Sequence, residues 1–192
     1  MKRLGKTKKN ILRSIWEEDK PLTLSELVDK TQLTVRTVRR HLNDMEKTGL
    51  VKKSGYFITS EGKNMIGFLP INERLAQKVL QITSPREAFY FYTDYGKPLT
   101  ISSSSLEDFC KKTSHINIKS LEYHIQNGHF AAWIDFLGDS ELAERFNQLR
   151  NTLRTGEALR STISVLITQR FNELTDELKT AESAEWLISA RA

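Results

Sequence analysis

Residues 33–63 read LTVRTVRRHLNDMEKTGLVKKSGYFITSEGK. Within them, Arg36 to His41 places three arginines and a histidine in six positions. The spacing of the apolar residues decides which way that charge points. Val38, Leu42 and Met45 recur at intervals of four and three, the stripe of a helix that buries one face. Thr34 is expected to cap its start and Gly49 to end it as a left-handed C′ residue, so the helix is expected over 34–48. With the stripe inward, Val35, Arg36, Thr37, Arg39, Arg40 and Asn43 face out. A charge run on a helix is most often a solvated surface, so the neighbouring elements have to say whether this one binds something.

Downstream, Leu50-Val-Lys-Lys53 and Tyr56-Phe-Ile-Thr59 are short β-prone runs on either side of Ser54-Gly55, a hairpin signal over 50–59. Upstream, Ile11, Leu12, Ile15 and Trp16 form an amphipathic stripe within Lys8–Glu18, and Pro21 interrupts it. Thr23-Leu-Ser-Glu26 reads as a capping box opening a second helix that buries Leu24, Leu27 and Val28. Ser60–Lys63 leads into a short segment ending near Pro70. Three helices and a hairpin therefore fill about sixty residues.

These residues resemble the winged helix-turn-helix regulators of bacteria and archaea, of ArsR/MarR type. The resemblance rests on the L-T-x-x-T-V-x-x-H-L run (Leu33–Leu42), on G-L-V at 49–51 and on Y-x-I-T-x-x-G at 56–62. It implies that helix 34–48 enters the major groove of double-stranded DNA and that the wing, 50–59, lies on the adjacent backbone or minor groove. Arg36, Arg39 and Arg40 then reach base edges or phosphates, arginine being the best bidentate partner of guanine. Thr34, Thr37 and Asn43 are expected at base or sugar-phosphate oxygens, and Val35 at a thymine methyl. Lys52 and Lys53 with Ser54 form the wing tip, and Lys6, Lys8 and Lys9 add phosphate contacts. His41 is expected half-buried against the first helix or near a phosphate.

Charge agrees with that division. Residues 1–63 hold 15 Lys+Arg against 8 Asp+Glu, or +7, and the remaining residues hold 14 against 16, or −2, giving the whole-chain +5. An anionic partner is thus expected for the first module only. The one cysteine, Cys110, excludes an internal disulfide framework and points to a reducing cytoplasm. The basic N-terminus lacks the apolar run of a signal peptide, and no stretch approaches the roughly 20 apolar residues of a membrane span. A soluble, cytoplasmic, nucleoid-associated chain with no membrane partner is expected.

Ile71–Ile82 reads as a connecting helix, and Ser84-Pro85 as a boundary. Ala88–Tyr92 is an aromatic run, either a buried strand or an extended segment, and 95–105 is loop-like. Ser104-x-x-Glu107 reads as a second capping box. Helices are expected at 105–113, 118–126, 129–137, 139–150 and 156–179, punctuated by Gly128, Gly138 and Gly156. The fold is expected to be mainly α: a winged helix-turn-helix over 1–67, a connecting helix or linker over 68–84, and a mostly helical dimerisation or sensor domain over 85–180. The tail, 181–192, carries Glu182, Glu185 and Trp186 and no assigned role.

The second module resembles a small, mainly archaeal domain family of unknown function through S-L-x-x-F, S-L-x-x-H, F-x-x-W, G-D-x-x-L-A and G-E-x-L-R, found here at residues 105, 120, 130, 138 and 156. With the first module it suggests an archaeal source, and it carries no activity over. Cys110, His115, His124 and His129 are spaced 5, 9 and 5 apart, which matches no standard zinc arrangement. Phe89–Tyr92, Tyr95 and Tyr123 are core, or they line a pocket for an unknown small-molecule effector. Ser102–Ser105 lacks a nucleophile motif. No metal, cofactor or enzymatic activity is expected.

The apolar stripes of 71–82 and 156–179 serve either a homodimer or the interior of one chain. The reading that results is a DNA-binding transcriptional regulator. Its alternative is an architectural nucleoid-associated protein with little sequence preference. A winged helix used as a protein-interaction platform is the third.

Overall fold

In the computed structural model, Thr23 and Glu26 close the expected capping box: the Glu26 N–H donates to the Thr23 hydroxyl at 3.2 Å, and the Thr23 N–H donates to the Glu26 carboxylate at 2.7 Å. Residues 4–18, 20–152 and 154–189 are described, those from 184 onward by backbone alone. The chain divides into two units, Met1–Pro70 and Ile71–Ala192.

The first unit runs α1 (Lys6–Trp16), α2 (Leu24–Thr31), α3 (Val35–Lys47), β1 (Val51–Lys52), β2 (Phe57–Ile58) and α4 (Ser60–Met65). Gln32 takes φ 55° between α2 and α3, a left-handed conformation that turns the chain while its N–H still reaches Val28 O. Thr34 caps α3, accepting from the Thr37 N–H at 3.2 Å, and Gly49 follows the helix at φ 73°. Ile11, Leu12 and Ile15 of α1, Leu27 of α2 and Val38, Leu42 and Met45 of α3 form one buried core, while Leu24 and Val28 are only partly buried against it.

The wing is short and firmly anchored. Val51 pairs with Ile58 and Lys52 with Phe57, and an isolated bridge joins Tyr56 to Leu22 ahead of α2. Gly55, at φ 73°, passes so close to Pro21 that a Cβ there would lie 2.5 Å from the proline Cβ. Gly62 meets the Leu50 carbonyl in the same way, which seats α4 under the hairpin.

The second unit runs α5 (Glu73–Leu80), β3 (Phe89–Asp94), β4 (Lys97–Ser103), α6 (Leu106–Thr113), α7 (Ile118–Gln126), α8 (His129–Leu137), α9 (Ser140–Arg150) and α10 (Gly156–Ser189). Four points differ from the sequence expectation. The loop expected over 95–105 is largely strand: β4 pairs antiparallel with β3 across a tight turn at Tyr95-Gly96, where Gly96 takes φ 70°. The cap of α6 is Ser105, which accepts from the Asp108 N–H, and not Ser104 with Glu107. The last helix continues past 179 to Ser189 and includes most of the expected tail, where the side chains of Glu185 and Trp186 lie outside the described residues. Finally, the 68–84 stretch is divided between the units. Phe68 packs on Trp16 as a tilted pair at 4.6 Å, whereas Leu75, Ala76 and Val79 of α5 are buried in the core of the second unit.

Phe89, Phe91, Phe109, Phe130 and Trp133 fill that second core, mostly as edge-on and tilted pairs with Phe91 stacked on Phe109; Phe89 lies 4.9 Å from Phe91 and 5.2 Å from Phe130. Leu159, Ile163, Ile167 and Leu174 line the buried face of α10, so the α5 and α10 stripes pack within the chain. A buried ionic cluster crosses the same face. Arg170 grips Asp139 bidentately at 2.6 and 2.9 Å and also reaches Glu141 and Glu173. Asp139 spends a further lone pair capping α9.

Candidate nucleic-acid interface

The α3 core stripe sets the azimuth of every other residue on that helix. At about 100° per residue, Arg36, Arg40, Asn43 and Lys47 lie opposite Val38, while Arg39 and Glu46 fall on one flank and His41 and Asp44 on the other. Accessibility agrees: Val38, Leu42 and Met45 are fully buried, and Val35, Arg36, Arg39, Arg40, Asn43 and Lys47 are exposed. None of Arg36, Arg39, Arg40 or Lys47 has an ion pair among the described residues. Lys47 was missing from the sequence-derived set, although its place seven residues after Arg40 puts it on the same face.

Both flanks of α3 are held by lysines. Lys8 Nζ of α1 lies 3.3 Å from Asp44, and Lys53 Nζ of the wing lies 3.8 Å from Glu46. Thus α1 borders one side of the arginine face and the wing the other. Lys52 is exposed on the wing, and Phe57 beside it is 42% exposed, a position that sequence reasoning left out. A cleft of about 930 Å³ between the end of α3 and the wing is lined by Glu46, Lys52, Lys53, Phe57 and Lys63.

The other expected contact residues have neighbours of their own. The Thr34 hydroxyl lies 2.9 Å from that of Thr37, so the two are engaged with each other and with the helix start, and Thr37 is half-buried. Lys9 does not share the Asp44 side of α1 with Lys8. It lines a separate groove of about 590 Å³ with Lys6, Asn10, Arg13, Leu33 and Ile66. His41 is half-buried, as expected, with Nδ1 buried and unpartnered. Burial foremost, then the Arg40 and Lys8 charges, pushes its pKa down against the pull of Asp44.

In the second unit His124 and His129 meet, but Cys110 and His115 do not join them. Cys110 Sγ lies 3.4 Å from the Thr168 hydroxyl and His115 beside Ser114. Among the described residues no group of three or more His, Cys, Asp or Glu side chains forms a metal cage, and no helix is long and apolar enough to cross a membrane. The residues carrying the second resemblance are structural: Leu106, Phe109, Leu121, Phe130, Leu142 and Leu159 are all buried. Phe89 and Phe91 likewise fill the core, and Tyr90 donates to the Pro85 carbonyl.

Residues 5–53, from the start of α1 into the wing, match the family described as bacterial regulatory protein, arsR family. The matched segment is the unit that carries the arginine face, and the match supports a DNA-binding transcriptional regulator with a helix-turn-helix of that type. No curated protein and no solved structure matches the chain.

Proposed function

We propose that α3 lies in the major groove of an operator, with Arg36, Arg40 and Asn43 at the base edges and Val35 available to a thymine methyl. Arg39, on the wing flank, serves the sugar-phosphate backbone together with Lys47, Lys52 and Lys53, and Lys8 reaches a phosphate from the α1 side. Thr34 and Thr37 hold the helix start in place. The observation that carries this reading is the uncompensated row of arginines on the face opposite Val38, bordered on both sides by lysine-bearing elements. Most charge runs on helices are laced with opposite charge along the same face, and this one is not.

The proposal includes a two-fold dimer, because one recognition helix reads only a few base pairs and pairing doubles the contact. It also places the chain in the cytoplasm at the nucleoid. Size in solution, with and without duplex, checks the dimer. Duplex binding by the full chain and by its Arg36→Ala/Arg39→Ala/Arg40→Ala variant tests the interface, and unchanged affinity would overturn it. The architectural reading is favoured by one feature: with Thr37 engaged by Thr34, the outward face is dominated by arginine, which serves phosphates as readily as guanine. A ratio of affinity for the chain's own promoter to random duplex below roughly 10³ at physiological salt selects that reading.

A further inference from the structure

Outside the proposed operator face, the second unit holds its charged and metal-ligating side chains in structural roles. The Arg170 guanidinium is buried and taken up by Asp139, Glu141 and Glu173, so it is structural. The His124–His129 pair belongs to no group of three metal-ligating side chains among the described residues, and Cys110 shares a hydrogen bond with Thr168. The basic groove on α1 is different, because Lys6 and Lys9, which line it, have no ion pair among the described residues.

We propose that the outer face of α1, carrying Lys6, Lys9 and Arg13 with Asn10, is a second phosphate-backbone surface that holds a DNA segment other than the one on α3. This rests on the regulator reading above. The three cations recur at intervals of three and four, a single stripe about 10.5 Å long at 1.5 Å per residue. Ile11, Leu12, Ile15 and Trp16 are buried, and Lys6, Lys9 and Arg13 are exposed along the flank of that face. Lys8, on the α3 side through Asp44, lies about 200° around the helix from Lys6. A straight duplex seated on Arg36 and Arg40 therefore meets Lys8 and not the stripe.

The chemistry of the groove selects its occupant. Among the described residues no carboxylate lines it, and Lys6 and Lys9 have no ion pair. The charge therefore suits a polyanion. Among the described residues its apolar lining is Leu33 and Ile66, with none of the aromatic anchors that dominate protein-docking sites. Lysine, arginine and asparagine side chains are the usual partners of phosphate oxygens and carry no sequence information there. One chain then touches two DNA segments, reading the first and gripping the second. The class of activity added is bridging or looping of DNA.

The test uses the full chain and two 30-base-pair duplexes, one immobilised and one fluorescent, with capture of the second reporting bridging. Lys6→Glu/Lys9→Glu replaces two exposed side chains, and Lys6→Gln/Lys9→Gln is the milder companion, with circular dichroism confirming the fold. The expected result is at least a tenfold loss of bridging for Lys6→Glu/Lys9→Glu, a smaller loss for the glutamine pair, and less than a twofold change in affinity for a single duplex. Bridging that persists in the glutamate variant but vanishes in Arg36→Ala/Arg40→Ala belongs to a dimer with two operator faces and overturns the proposal. A parallel fall in single-duplex affinity places the stripe on the same duplex and also overturns it. If the wild type binds single duplexes but never bridges them, the surface belongs to another partner, such as an acidic protein segment, and the proposal fails while the regulator reading stands. No duplex binding at all removes both.

Discussion

His124 Nδ1 lies 3.0 Å from His129 Nδ1, and the direction of that hydrogen bond is fixed from the far side of the ring: His124 Nε2 accepts from the Tyr92 N–H at 2.9 Å. Nε2 therefore carries no proton, so Nδ1 does, and His124 is the donor to His129. A metal at Nδ1 would have to displace that proton, and the pair instead ties β3, α7 and α8 together.

Burial first, then the nearby His129, holds the His124 pKa down to about 3. The folded chain therefore resists a proton that the unfolded chain accepts near 6.5. The stabilisation is fully present above that pH and is lost as pH falls from about 6.5 towards about 3, with a slope of up to about 1.4 kcal/mol per unit from this group. Thermal unfolding between pH 7.5 and 4.5 should show it, and His124→Gln should flatten the dependence while lowering stability at neutral pH. An unchanged pH profile in the variant sinks the assignment.

Arg170→Met should destabilise the second unit by about 3–5 kcal/mol, because it leaves Asp139 buried without the guanidinium that grips it. Replacing Asp139, Glu141 and Arg170 together with apolar residues of similar size should cost much less. Chemical denaturation of the two variants measures the difference.

Gly62→Ala should lower the stability of the first unit by about 1–3 kcal/mol, since the new methyl runs into the Leu50 carbonyl and Ile58. The wing depends on that seat, so DNA affinity should fall with it. Gly5→Ala, where nothing lies within 4 Å, is the control for adding the same methyl.

Lys52→Gln should weaken duplex binding about equally for all sequences and reduce the salt slope by about 0.9. Arg40→Ala should instead cost about 1–3 kcal/mol at particular base pairs and relax the preference there. Titrations at several salt concentrations, on the promoter and on random duplex, separate the two effects.

Much of the fold was legible because element ends carry their own chemistry. Thr23, Thr34 and Gly49 announce their caps and stops locally, and Val38, Leu42 and Met45 fix a face by spacing alone. What stayed hidden depended on distant partners. Lys97–Ser103 reads as a loop because it is rich in serine and contains Pro98, and only pairing with the aromatic strand β3 makes it a strand. Arg170 looks like one more charge on a long helix until Asp139 arrives from α9. On the candidate interface, the sequence placed the arginines by periodicity. It could not separate Lys8 from Lys9, since adjacent residues diverge only once α3 and Asp44 are packed against one side of α1.

The two lysine–carboxylate contacts beside α3 have a consequence for how tightly the first unit can hold nucleic acid. Lys8 must leave Asp44, and Lys53 must leave Glu46, before either can meet a phosphate. The protein thus carries tethered competitors for its own ligand, at an effective concentration no free anion matches. Asp44→Asn and Glu46→Gln would release those lysines and slow dissociation. A tighter grip would then come at the expense of prompt release, which a switchable repressor or activator needs.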